Sequence, residues 1–245
     1  MSVCGNHERA DNFTQYKSRF SGLELTAAAS TSTSPLWYSF NHGLVHFVMI
    51  DTEIFEYGGG DVQAQYDWLE RDIAAVDRAA TPWVVAAGHK TRFMGGTDFS
   101  RFDGIFKTMG VDLYVAGHAH NYQRIAPNDN GVREACLSAD NSTYTDCANY
   151  VAVVSGSPGN REIESKPDNA KAPAAVLDVF DENYGFSHLT AVDAHTLLFE
   201  FEETRVRGAV GAFRDSFTIV KTGRARKPTG VPFDATLPLG GDLEL

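Results

Sequence analysis

Residues 111–124 read Val-Asp-Leu-Tyr-Val-Ala-Gly-His-Ala-His-Asn-Tyr-Gln-Arg. The first six form a short apolar, β-branched and aromatic run, which predicts a strand ending at Gly117. His118 and His120 follow, separated only by Ala119. A strand end fixes the base of a loop, and glycine lets the backbone approach a ligand closely, so polar groups placed there are binding candidates. In extended backbone the two imidazoles would share a face with Cα atoms roughly 7 Å apart; a turn would instead splay them. The same design recurs upstream, where Pro82-Trp83-Val84-Val85-Ala86-Ala87 is a strand pattern closed by Gly88-His89. A third cluster, Gly5-Asn6-His7-Glu8, lies near the start. Asn and His side chains together give mixed oxygen and nitrogen ligation, which suits Zn, Mn or Fe. Each cluster alone is weak evidence: a Gly-His after a strand is more often a hydrogen-bonded histidine, and Gly-Asn favours turns.

Between these clusters the chain alternates strands and helices. Leu36–Phe40 and Leu44–Ile50 predict a hairpin. Asp61 is placed to N-cap a helix carrying Val62, Tyr66, Leu69, Ile73 and Val76 on one face. A short helix is expected over Ser100–Met109 and a strand near Tyr150–Ser155. Gly185–Val192, Thr196–Glu203 and Asp215–Lys221 alternate in polarity and predict a three-stranded meander. Residues 21–35 and 160–175 are polar and read as loops, and residues 223–245 read as a tail. The expected organisation is one domain over 1–222 followed by the tail 223–245. His42, His46, His188 and His195 lack the glycine context and are assigned structural roles, His46 within a strand.

Composition limits the functional classes. With 245 residues, 43% hydrophobic and 22% charged, the chain can build a core. A net charge of −11 argues against a nucleic-acid binder, whose affinity depends on Lys and Arg. No apolar run is long enough for a membrane span, and residues 1–8 show no basic region followed by an apolar stretch that would read as a signal peptide. Cys136 and Cys147 enclose a polar segment, and a disulfide closing it would contribute roughly 3 kcal/mol in the loop-entropy picture; two unrelated thiols are the alternative. Cys4, at the end of an expected strand, is left unpaired. Asn12 and Asn141 begin Asn-x-Ser/Thr sequons, and with the disulfide they point to a secreted, vacuolar or lysosomal setting.

Taken in order, GNHE at 5–8, GH at 88–89 and GHAHNYQR at 117–124 resemble the last three metal-binding blocks of the purple acid phosphatases, a family of calcineurin-like metallophosphoesterases. LWYSFNHGLVHFVMIDTE, QYDWLERDIAAVDRAATPWVVAAGHK and YGFSHLTAVDAHTLLFEFEET are similar to further segments of that family, so the resemblance runs over about residues 3–221. It implies an α+β fold, the second half of a four-layer α/β/β/α sandwich, and hydrolysis of phosphate monoesters at a two-metal site. It further implies Asn6, His89 and His118 as ligands of a divalent Zn, Mn or Fe, and His120 as a ligand of Fe(III). His7 would bind the substrate phosphate and assist the leaving alkoxide. Glu8 and Tyr122 are candidates for supporting these groups.

The sequence also departs from the family pattern. The Gly-Asp-x-Gly and Gly-Asp-x-x-Tyr blocks, which should precede GNHE, are absent; Gly60-Asp61 and Gly241-Asp242 come after it. GHKTRF at 88–93 replaces the common Gly-His-Arg-Pro. The expectation is a C-terminal half whose N-terminal half is missing, or which pairs as a dimer, with an incomplete second metal site and impaired activity. The alternative is a non-catalytic fragment that binds phosphate or a partner chain.

Overall fold

The computed structural model describes residues 2–22, 32–93, 99–159, 172–204 and 213–223. Its centre is a seven-stranded mixed sheet in the order β1-β2-β3-β4-β9-β5-β10. These strands are β1 (Tyr38–His42), β2 (Val45–Met49), β3 (Trp83–Ala87), β4 (Leu113–Ala116), β9 (Val151–Ser155), β5 (Tyr122–Ile125) and β10 (Leu177–Asp181). β2, β3, β4 and β9 run parallel, while β1 pairs antiparallel with β2 as a hairpin. The hairpin turn is shorter than the sequence suggests: Asn41 and His42 pair with His46 and Val45, leaving Gly43 and Leu44 as the turn.

The parallel strands are apolar on both faces, as strands covered on both sides must be. Along β3, Val84 and Ala86 face one cluster and Trp83 and Val85 the other. The first face is covered by α1 (Ala10–Arg19), α3 (Val62–Ala74) and α4 (Ser100–Met109) through Phe13, Tyr16, Tyr66, Leu69, Ile73, Phe102 and Phe106. Asp61 caps α3 by accepting the Ala64 N–H at 3.1 Å. The second face packs on a four-stranded sheet, β11-β12-β13-β8. There β11 (Gly185–Ala191), β12 (Thr196–Glu203) and β13 (Phe213–Val220) form the expected antiparallel meander, and β8 (Thr143–Thr145) pairs parallel with β13. Phe199, Phe201 and Phe217 fill the space between the sheets. The result is an α+β sandwich; among the described residues, these three helices lie outside the larger sheet.

A short two-stranded ribbon of β6 (Asn128–Asp129) and β7 (Val132–Arg133) precedes a disulfide joining Cys136 and Cys147, with Cα atoms 5.4 Å apart. Asn12 and Asn141 are exposed. No helix among the described residues is long and apolar enough to cross a membrane. Residues 224–245, nearly all of the expected tail, and most of the two polar stretches lie outside the described residues.

Candidate metal centre

Three chain segments 83 and 112 residues apart in sequence meet at the C-terminal ends of β3 and β4. This is the end of parallel strands where open α/β sheets gather ligands. Asn6 stands in a short 3-10 turn (Asn6–Glu8). Its Oδ1 lies 2.9 Å from His89 Nε2 and 3.3 Å from His118 Nδ1, and the two imidazole nitrogens are 3.0 Å apart. The rings meet nearly edge to face, at 81°. Metal–nitrogen and metal–oxygen bonds near 2.0–2.1 Å place neighbouring donors roughly 2.9–3.4 Å apart, depending on coordination number. The three donor atoms already sit at that spacing.

Local sequence explains how they reach it. A Cβ on Gly5 would stand 2.9–3.0 Å from the His89 ring, so only glycine lets the Asn6 turn come this close. Glu8 Oε2 accepts the Gly5 N–H at 2.9 Å and pins that turn, which is the support it gives the site. His118 adopts φ 62°, a left-handed conformation unfavourable for a residue with a Cβ. That turn breaks the extended geometry in which His118 and His120 would share a face. Gly156, at the end of β9, accommodates the loop: a Cβ there would come 1.8 Å from Ala119 O.

His89 is half-buried, and burial, aided by the charges of His118, Lys90, His7 and His120, pushes its pKa down to about 4. It is therefore neutral at neutral pH, with a lone pair available for a metal. His120 and His7 lie close enough for their charges to act on His89, and His7 is exposed. His46 is buried between Asn41 and Asp72, at 2.6 and 2.8 Å. His188 meets Glu202, and His195 meets the Lys221 carbonyl, both away from Asn6.

Two expectations are corrected. Tyr122 does not support the site: its hydroxyl donates to Asp215 on β13 at 2.7 Å, and its ring stacks on Phe201 in the opposite sheet. Cys4 does not end a strand, since residues 2–5 belong to no strand of either sheet. Its buried thiol donates to Asp51 Oδ1 at 3.3 Å, and burial together with Asp51 pushes its pKa far up. Beside the donors lies a buried polar turn, Asp51-Thr52-Glu53, whose two carboxylates the sequence places at the end of the Val45–Ile50 strand without a match to any ligand block. Burial raises the Asp51 carboxyl to about 6 and the Glu53 carboxyl to about 7, the latter opposed by Lys90. Their position directly after an apolar strand was the signal available.

The calcineurin-like phosphoesterase family profile matches residues 1–122, and the profile of the iron/zinc purple acid phosphatase-like C-terminal domain matches residues 150–212. Acid phosphatase A of Cryphonectria parasitica is 31% identical, the match covering 87% of this chain and 48% of that protein. An Arabidopsis thaliana protein called probable inactive purple acid phosphatase 27 is also 31% identical, over 91% of this chain and 38% of its own length. The chain thus spans less than half the length of these relatives. Among solved structures, the purple acid phosphatase PPD1 from yellow lupin seeds shares the fold, with TM-score 0.58 and 23% identity over 79% of this chain and 35% of that one.

Proposed function

The chain belongs to the purple acid phosphatase family of calcineurin-like phosphoesterases, and from that premise we propose that its site serves metal-dependent hydrolysis of phosphate monoesters. The observation that carries this reading is the triangle of Asn6 Oδ1, His89 Nε2 and His118 Nδ1. These atoms would hold a divalent Zn(II), Mn(II) or Fe(II), and His120 would serve a neighbouring Fe(III). Such a pair supplies Lewis acidity toward phosphoryl oxygens and lowers the pKa of a bound water. One amide and neutral imidazoles leave the ion's charge uncompensated, which favours a phosphate dianion despite the net charge of −11. His7, exposed next to Asn6, would hydrogen-bond the phosphate and pass a proton to the leaving alkoxide. The disulfide and the exposed sequon residues Asn12 and Asn141 support a secreted, vacuolar or lysosomal setting.

A second reading, a phosphate-binding protein without turnover, is favoured by the similarity to a relative named probable inactive purple acid phosphatase 27. Titration with Zn2+ or Co2+ should show about one ion per chain, lost in His89→Ala and His118→Ala. Slow hydrolysis of an aryl phosphate, lost in His7→Ala with the ion still bound, supports the phosphatase reading. A bound ion with no hydrolysis supports the second reading. Absence of metal binding overturns both.

A further inference from the structure

The turn Asp51-Thr52-Glu53 touches both segments that carry the donors. It follows β2, whose parallel neighbour β3 leads into His89. On one side, Asp51 Oδ1 accepts from Cys4 Sγ at 3.3 Å, two residues before Asn6. On the other, Thr52 Oγ1 accepts the Lys90 N–H at 2.9 Å, one residue after His89. Glu53 Oε2 lies 3.5 Å from Lys90 Nζ, and Glu56 in α2 (Ile54–Tyr57) pairs with the same ammonium. The Lys90 carbonyl accepts from Tyr114 Oη at 2.6 Å, so this residue's backbone is tied at both polar atoms.

The turn is itself fixed from behind. The Gln65 side chain on α3 accepts the Asp51 N–H at 2.7 Å and donates to the Asp51 carbonyl at 3.0 Å. Asp51 Oδ1 also accepts the Glu53 N–H at 2.8 Å. All three residues of the turn are fully buried. Asp51 Oδ2 has no hydrogen-bond partner among the described residues. Burying a carboxylate this incompletely paired is unfavourable for stability, so its presence calls for another reason.

We propose that Asp51-Thr52-Glu53 is a positioning element that sets the separation of Asn6 and His89, with Asp51 holding the Asn6 segment through Cys4 and Thr52 and Glu53 holding the His89 segment through Lys90. The proposal rests on the reading of Asn6, His89 and His118 as metal ligands. None of the three turn residues touches the ion; they act through their neighbours. Outer partners of this kind typically change metal affinity ten- to a hundredfold when lost.

The test uses the whole chain with Co2+ as probe, following its visible absorption, and Asp51→Ala and Thr52→Val as variants. Asp112→Asn, at the other end of the same strands, controls for general destabilisation. A second readout needs no metal: the ring 15N spectrum of His89, which reports the contact of Nε2 with Asn6. Asp51→Ala and Thr52→Val should each weaken Co2+ binding at least tenfold and shift the His89 Nε2 resonance. Asp112→Asn should change affinity less than twofold and leave the resonance in place. Affinities within twofold and unmoved resonances in both turn variants overturn the positioning role. If the unmutated protein does not bind Co2+, the metal reading fails, and the resonances alone then decide whether the turn positions His89.

Discussion

Asp112 and Asp51 are buried carboxylates at opposite ends of the same parallel strands, and the protein surrounds them differently. Asp112 precedes β4. Its Oδ2 accepts the Val84 N–H at 2.9 Å, Lys221 Nζ stands 2.8 Å from Oδ1, and Arg78 stands 3.6 Å from Oδ2. Lys221 in turn donates to the Pro82 carbonyl at 2.8 Å and lies 4.0 Å from the Trp83 ring centroid, tying the smaller sheet to the larger. Asp51 follows β2, keeps one oxygen without a hydrogen-bond partner among the described residues, and neighbours a thiol and the Glu53 carboxylate. The left-handed His118 stands at this same end. One end of the sheet is thus built for stability, while the other concentrates unfavourable features of the kind that gather at functional sites.

The largest expected effect tests the stabilising end. Asp112→Ala leaves Lys221 and Arg78 buried without their anion, and breaking such a pair costs about 3–5 kcal/mol. For a domain of this size the melting temperature should fall by about ten degrees. Metal affinity should not change. A melt within two degrees of the unmutated protein would remove the basis of the comparison.

The next effect belongs to the other end and has the opposite signature. His118→Gly deletes a donor and places at φ 62° the one residue without a penalty there. Co2+ affinity should fall at least about a hundredfold, or ~2.7 kcal/mol. Relief of the left-handed backbone is worth about 1 kcal/mol, so the metal-free melting temperature should hold or rise. A variant that loses both metal and stability would show that His118 is retained for packing.

Asp51→Asn refines the contrast. At pH 7.5 it removes a buried negative charge with few compensating contacts, so metal-free stability should stay within about 1 kcal/mol or increase, as for incompletely paired buried charges replaced by neutral groups. Comparison with Asp112→Asn under chelator, by urea denaturation, checks it. Equal losses in the two variants would mean that the carboxylates are equivalent.

What could be read from the sequence follows the same division. β3, β4 and β9 were legible because both faces are apolar, and α3 because its apolar face keeps helical spacing. β5 was not, because Gln123 and Arg124 are buried polar residues satisfied by distant partners: Gln123 accepts the Ala172 N–H at 2.9 Å, and Arg124 pairs with Asp215 at 3.1 Å. α1 was missed for a local reason, since its first turn passes through left-handed Asp11, Asn12 and Phe13 and the segment is largely polar. Asn6, His89 and His118 were nameable because glycine marks each strand end or turn. The Asp51-Thr52-Glu53 contacts were not, because Thr52 meets Lys90 only once β2 and β3 lie side by side, 38 residues apart in sequence.

The smallest expected effect is the pH dependence of the metal-free protein, and its sign follows from the groups at the site end. Asp51 and Glu53 have folded pKa values near 6 and 7, raised by burial above the ordinary carboxyl range. Their contribution to stability is therefore full below about pH 4 and is lost as pH rises through 6 and 7. Asp215, also raised by burial, acts in the same direction. His89 opposes them: with its folded pKa lowered to about 4, the unfolded chain holds the extra proton, and stability falls as pH drops from about 6.5 toward 4. Between pH 7.5 and 5.5 the carboxylates bind more protons on folding than His89 gives up. The metal-free chain should thus be more stable at pH 5.5 by about 1 kcal/mol, on the scale of 1.4 kcal/mol per pKa unit. Urea denaturation under chelator at the two pH values checks the sign. Asp51→Asn should reduce the difference, because one of the groups that takes up a proton on folding is gone. A protein more stable at pH 7.5 would mean that these carboxylates are ionised in the fold, with partners for their charge, and the contrast with Asp112 would then disappear.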